Sequence, residues 1–363
     1  MSPVTSPLAS PLAALLRQHI AAQGPISVAE FMGAALGHPQ HGYYRRRDPL
    51  GVAGDFTTAP EISQMFGELI GLWCAVVWQS MGSPSRVVLA ELGPGRGTLM
   101  ADLLRAARQL PAFRQAVEVH LVETSQPLRE KQASALQGVN PVWHEDVSTL
   151  PSGPLLLVAN EFLDALPIRQ WLRCAEGWRE RLVGLDGDRF VFVEGPMVEI
   201  MDGSAAPAAK EGDIFEVNEP ARALVGQLAA RLAEQGGAAL IIDYGSGDQT
   251  IGDSLQAVRS HAFAPVLDDP GMVDLTAHVD FQALAEAAGL AKTYGPVTQG
   301  AFLRALGIEL RAEHLIRSAP SKAADLSAAC RRLIDGAEMG TLFKVMALTH
   351  PDLPPPPAFG FRD

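Results

Sequence analysis

The chain has 363 residues, 47% of them hydrophobic and 19% charged, with a formal net charge of −12 at pH 7. That length suits one large domain or two ordinary ones, and that balance suits a globular chain rather than a disordered one. The acidic excess argues against broad nucleic-acid binding, and no window approaches the roughly 18 uninterrupted apolar residues that a membrane-spanning helix needs.

The opening, MSPVTSPLASPLAALLRQHI, has no basic region before an apolar stretch and lacks the arginines of a transit peptide. Neither a secretory signal nor a mitochondrial presequence is expected. The 3 cysteines, Cys74, Cys174 and Cys330, are scattered, and no pair has metal-ligand spacing. No disulfide framework and no metal site is expected, and a reducing cytoplasm fits best.

Residues 8–36 read as helical pieces, LASPLAALLRQHIAAQ and SVAEFMGAALG, the second opened by Ser27 with Glu30 placed for a capping box. Residues 38–63 are rich in Gly, Pro and Thr and read as a long loop, either functional or disordered. A helix over 61–82 follows. From Arg86 the pattern alternates. VVLAEL, VEVHLVE, NPVWHED, PLLLVANE and GAALIIDYG are short apolar strands, with helices after the first and second. Such alternation predicts an α/β fold with a parallel sheet covered on both faces. Two β-like runs flank Asp186-Gly187-Asp188, a hairpin signal read as an inserted antiparallel flap. A surface loop (203–213) and a helix (219–235) precede GAALIIDYG, and residues 246–277 read as loop. A helix over 280–289, the strand KTYGPVTQ, helices over 300–316 and 321–335 and the strand TLFKVMALTH complete the body. The proline-rich end is expected to be poorly ordered. The expected domains are an N-terminal helical extension and lid loop (1–85), an α/β domain (86–350) with insertions at about 174–218 and 300–338, and the tail (351–363).

The stretch ELGPGRGT, residues 91–98, joins the first of these strands to a helix. Its glycines, Gly93, Gly95 and Gly97, are spaced G-x-G-x-G, whereas a dinucleotide turn reads G-x-G-x-x-G. Such a turn cradles a pyrophosphate on the positive end of a helix. Glu91, two residues before the first glycine, would repel that anion and attract the ammonium and sulfonium of S-adenosylmethionine. Glu123 ends the second strand, where a carboxylate can accept both ribose hydroxyls. Asp146 ends the third, as an adenine contact or equally as a helix cap. Asn160 and Glu161 end the fourth. Polar strand ends on one rim suit ligand binding at the carboxyl edge of a parallel sheet. Arg96 reads as a solvent-facing turn residue.

With these motifs in place, the chain resembles the MidA-type proteins, a family that includes the mitochondrial complex I assembly-factor arginine methyltransferase. The resemblance runs from about residue 10 to about 349, through GYYRRRDPLGVAGDFTTAPEISQMFGELIGLW, ELGPGRGTLMADLLRA, ANEFLDALPIRQW, IIDYG, DLTAHVDFQAL, QGAFLRALGI and MGTLFKVMAL. It implies a class I methyltransferase: a Rossmann-like sheet with an N-terminal helical extension, an inserted β-hairpin and a helical insertion before the last strand. It also implies S-adenosylmethionine as cofactor and a protein substrate, with a respiratory complex I subunit and symmetric arginine dimethylation carried over from the eukaryotic member. The expected setting is bacterial and cytoplasmic, with the mitochondrial matrix for eukaryotic relatives. A homodimer stays open.

A guanidinium acceptor has a pKa above about 12 and a delocalised lone pair. Carboxylates can fork-bind its nitrogens and aim one at the methyl donor. Glu161 is the leading binder, with Asn160 orienting it or the donor. Asp164 follows in the same loop. Asp55 and Glu61 flank FTTAP in the lid loop, with Glu61 equally readable as a first-turn helix acid. Asp243 is equally readable as a plain strand end. Alternatives are a small-molecule or other-protein methyltransferase, an assembly factor with a vestigial cofactor site, and an NAD-dependent enzyme, the last disfavoured by the glycine spacing.

Overall fold

The computed structural model describes residues 10–46, 58–198, 209–248, 251–259 and 262–360. The chain divides into two compact units: residues 1–56, 164–221 and 248–280 form one, and residues 57–163, 222–247 and 281–363 the other.

The second unit carries the sheet. Its strands, numbered within the unit, are β1 (Val87–Leu92), β2 (Val117–Val122), β3 (Val142–His144), β4 (Leu155–Asn160), β5 (Gly237–Ser246), β6 (Lys292–Thr298) and β7 (Phe343–Thr349). They lie in the order β6-β7-β5-β4-β1-β2-β3. Strands β1 to β5 run parallel, and β7 is antiparallel to β5 and β6. This is the order of a class I methyltransferase sheet. Strands β1 and β4 are buried along their whole length, which is why they read as continuous apolar runs rather than alternating ones. They are neighbours although two other strands lie between them in sequence, so the chain reverses its direction of winding between them. Ligands bind such sheets at that switch point, outside the carboxyl ends of the strands.

The helix Gln64–Ser80 belongs with this sheet, although its sequence position groups it with the N-terminal extension. It packs on helix Thr98–Ala107 through Gly67 and Gly71. A methyl group at Gly67 would stand 2.6 Å from Asp102 Cβ, and one at Gly71 would stand 2.7 Å from the Leu103 carbonyl oxygen. The backbones therefore touch, and the helix that follows the glycine turn is fixed from behind. Helix 64–80 is shorter than expected because Ser63 is extended and caps it, its hydroxyl accepting from the Met65 N–H at 3.2 Å. A separate short helix, Ala59–Ile62, precedes it.

The other unit is built on antiparallel strands, with Gly177–Asp186 at its centre. Ile26–Ser27, Arg169–Cys174 and Arg189–Val198 all pair with that strand, and Ile214–Val217 pairs with Arg169–Cys174. The expected hairpin at Gly187-Asp188 is present, with Asp186 opposite Arg189. The capping box is present too: the Ser27 hydroxyl accepts from the Glu30 N–H, and Glu30 accepts from the Ser27 N–H. Two expectations fail. Residues 246–277, read as loop, contain a small antiparallel sheet of Gln256–Arg259 with Ala262–Ala264 and Asp274–Thr276. Their strands are too short to show a period. Residues 351–360, read as poorly ordered, pack on the sheet-bearing unit. The Trp73 indole donates to the Pro357 carbonyl at 3.2 Å, and the Phe359 ring packs at a tilt against Tyr294 and Phe302. Proline suppresses regular structure without preventing aromatic burial.

Among the described residues no helix is long and apolar enough to cross a membrane. Gly71→Ala is expected to destabilise the protein by about 1–3 kcal/mol through overpacking at the crossing of helices 64–80 and 98–107. Urea unfolding checks this, and a variant of wild-type stability would show that the crossing has room.

Candidate cofactor and acceptor site

The turn after β1 is shaped by left-handed glycines. Gly93, Gly95 and Gly97 have φ of 57°, 53° and 82°. A side chain is excluded at Gly93 for a second reason: its Cβ would lie 2.7 Å from the Phe162 ring. Gly97 is the N-cap of helix 98–107 and offers no side-chain cap. Close backbone approach, the usual reason for such a turn, is therefore present in the geometry.

Glu91, at the end of β1, is 4% exposed. Burial pushes its carboxyl up to about 8, outweighing the Met100 backbone N–H that favours the charged form. Its Oε2 has no hydrogen-bond partner among the described residues. The same holds for Asn160 Oδ1 at the end of β4. These unsatisfied acceptors sit at the carboxyl ends of adjacent strands, beside the turn. A buried acceptor without a donor costs about 1–3 kcal/mol, so a ligand that brings donors gains by filling the place.

Glu123 is buried and held on both oxygens. Oε1 accepts from the Ser125 N–H at 2.7 Å, and Oε2 from Gln132 Nε2 at 3.2 Å. Burial nevertheless raises its pKa. Gln132 is a site residue that the sequence reading passed over. It is fully buried and also donates to the Gly95 carbonyl at 2.8 Å, while its Oε1 accepts from the Trp143 indole at 2.8 Å. It thereby ties the glycine turn, the β2 carboxylate and β3 together. The available signal was a polar residue four positions after the buried Leu128, on the inward stripe of helix Gln126–Ala135.

On the other side of β1, Glu161 has a left-handed backbone, φ 50°, which is uncommon for a residue with a side chain. The loop is over-determined to hold it there. Its N–H donates to the Ile242 carbonyl at 2.8 Å. Asp243 Oδ2 accepts from the N–H groups of Phe162 and Leu163 at 3.1 and 2.9 Å, and Oδ1 from that of Tyr244 at 3.0 Å. Asp243 is fully buried, so it is a shaping residue of the neighbouring loop and not a plain strand end. Glu161 Oε1 accepts from the Ala59 N–H at 3.0 Å and from Asn160 Nδ2 at 3.1 Å. Burial outweighs both and raises its carboxyl to about 7.

The structure thus gathers Glu91, the glycines, Glu123, Asn160 and Glu161 on one rim of one sheet. Asp146 follows β3 and caps the short turn Val147–Thr149, its Oδ1 accepting from the Ser148 N–H at 2.8 Å. Asp164 is buried and falls in the other unit, where its carbonyl accepts from the Ala277 N–H at 3.0 Å. Asp55 lies outside the described residues. Arg96 does not simply face solvent: it pairs with Glu61 at 3.4 Å.

A sheet of this order, with a glycine turn and an acid at the end of each of its first two strands, defines a class I methyltransferase. Comparison with known proteins agrees. The family model Methyltransf_28, which describes S-adenosyl-L-methionine-dependent methyltransferases, matches residues 69–297. The mitochondrial protein arginine methyltransferase NDUFAF7 of Danio rerio is 39% identical over 365 residues, covering 92% of this chain and 86% of that protein. Its Homo sapiens counterpart is 37% identical over 381 residues, covering 94% and 85%. A protein from Burkholderia thailandensis, crystallised with S-adenosyl-homocysteine, matches with a TM-score of 0.87 at 32% identity, covering 99% of this chain and 98% of that one. The chain belongs to this MidA-type family of S-adenosyl-L-methionine-dependent methyltransferases.

The buried carboxyl of Glu91 has a consequence for stability. Its folded pKa of about 8 stands above the ordinary 4.5. The contribution of the protonated acid is therefore complete below about 4.5 and is lost as pH rises through about 8. In the ligand-free protein, Glu91→Gln is expected to match wild type closely at pH 5 and to exceed its stability by about 2–4 kcal/mol at pH 9. Urea unfolding at the two pH values checks this. A stability difference that does not change with pH would contradict it.

Proposed function

We propose that this enzyme transfers the methyl group of S-adenosylmethionine to an arginine side chain of a protein, with symmetric dimethylarginine as product. The relatives named protein arginine methyltransferase support this acceptor through identities near 40% over most of the chain. The observation that carries it is Glu161, a buried carboxyl raised to about 7 beside the cofactor turn. Such a group is close to balance between its charged and neutral forms at neutral pH. A guanidinium alongside would draw it to the carboxylate, since an opposite charge favours ionisation.

When bound, S-adenosylmethionine supplies a methyl group made electrophilic by its sulfonium. The residues that would hold it follow from the chemistry of the rim. Glu91 Oε2 takes the ammonium of the methionine part, and Asn160 Oδ1 takes a second donor. Gly93, Gly95 and Gly97 admit the ligand against the backbone. Glu123 takes the ribose hydroxyls, and Asp146 remains assigned to the adenine edge through its second oxygen. Glu161 binds the acceptor through Oε2, because Oε1 already accepts two hydrogen bonds. Its position is set by the Ala59 N–H, Asn160 and the Asp243-braced loop, and such positioning supplies up to roughly 7–11 kcal/mol in favourable cases.

The substrate carried over from the relatives is a subunit of a respiratory dehydrogenase. A reducing bacterial cytoplasm as the setting is supported by the free cysteines. A homodimer is part of the same reading.

Glu161→Gln is expected to lower methyl transfer by a factor on the order of 10² while leaving affinity for S-adenosylmethionine within about twofold. Labelled-methyl transfer into a lysate containing the native respiratory dehydrogenase, read by mass spectrometry, checks the first part and the acceptor residue together. Full activity in the variant removes Glu161 from the mechanism, and label on a residue other than arginine overturns the acceptor assignment.

A further inference from the structure

Glu61 has a role that its place in a first helical turn does not explain. Its Oε1 accepts from the Thr98 hydroxyl at 2.5 Å, and its Oε2 accepts from the Arg96 guanidinium at 3.4 Å. Both partners belong to the glycine turn. Thr98 is the first residue of helix 98–107, and the N-cap Gly97 supplies no capping side chain. The leading N–H groups of a 10-residue helix carry partial positive charge, and an arginine stands beside them. That combination attracts anions, and it is the combination a dinucleotide turn uses for its pyrophosphate. Here a carboxylate from another element is docked on it. The Glu61 side chain is only 17% exposed, against 31% for Arg96, so solvent screens the pair incompletely.

The carrier element is held as well. Helix Ala59–Ile62 presents Glu61 to the glycine turn, while its Ala59 N–H is committed to Glu161 Oε1 at 3.0 Å. One short helix thus touches the cofactor turn and the carboxyl assigned to the acceptor. Glu61 is kept at the turn by the Ala59 contact at the start of its own element.

We propose that Glu61 is the specificity-determining residue of the cofactor turn, cancelling its positive charge so that it favours a cationic ligand. The inference rests on the reading that S-adenosylmethionine binds there. S-adenosylmethionine carries one positive charge more than S-adenosylhomocysteine, because its sulfonium becomes a neutral thioether on methyl loss. A carboxylate fixed near the turn therefore holds substrate better than product, which eases exchange after each transfer. Arg96 opposes that bias, and Glu61 suppresses the opposition by pairing with it.

The test is calorimetric. Dissociation constants for S-adenosylmethionine and S-adenosylhomocysteine are measured at pH 7 for wild type, Glu61→Gln and Arg96→Gln, at low and at moderate salt. Glu61→Gln is expected to lower the preference for the methylated cofactor by roughly threefold to tenfold, the size of a partly screened charge contact. Arg96→Gln is expected to raise it, and both shifts should shrink as salt is added. A merely structural role would weaken both ligands together. A preference unchanged in both variants, or moved in the same direction by both, overturns the proposal. If Glu61→Gln does not fold, the sign of the Arg96→Gln shift decides alone. A wild-type protein that binds neither ligand overturns the cofactor assignment instead.

Discussion

The site depends on a carboxyl buried with no cation to neutralise it among the described residues. Glu91 is inside the protein at the end of a central strand, and one of its oxygens has no donor among the described residues. Burying an ionised carboxylate in that state is expensive, and proteins answer by protonating the group or by pairing it. Protonation is the answer in the free protein, where the pKa rises to about 8. Pairing with a ligand is the other. An ammonium arriving at the turn supplies the missing donor and charge together, whereas a diphosphate would add a like charge to a place already short of donors.

Much of the surrounding architecture fixes that place. The contact of helix 64–80 with helix 98–107 at Gly67 and Gly71 leaves little room for the second helix to shift. Gln132 pins the turn from the side through the Gly95 carbonyl, and Phe162 closes over Gly93. Asp243 holds the backbone of the loop that carries Phe162 and follows Glu161. Each of these is a buried polar contact or a close backbone approach.

The sheet was legible from residues because its strands are buried on both faces and bounded by turns. VVLAEL and PLLLVANE are apolar up to the polar residues near their ends, and those residues lie on the rim in space. Glu91, Glu123 and Glu161 could be singled out because a charged residue ending an apolar run has no packing reason to be there. Gln132 was hard to single out because its neighbours on the helix are themselves polar, Arg129, Glu130 and Lys131 among them, and the spacing from Leu128 was the one sign of which turns inward. The roles of Asp243 and Arg96 were hidden for a related reason: their partners are 81 and 35 residues away in sequence. The small sheet within 256–276 escaped because strands of three or four residues carry too little pattern.

The most direct measurement is the proton count of cofactor binding. Titration calorimetry at pH 7 in buffers of different ionisation enthalpy reads the number of protons exchanged with solvent. If Glu91 is neutral in the free protein and ionised against the ligand ammonium, S-adenosylmethionine binding should release about one proton. Glu91→Gln should abolish that release. Binding in wild type with no net proton release, or a tight complex with NAD at the same turn, would contradict the account.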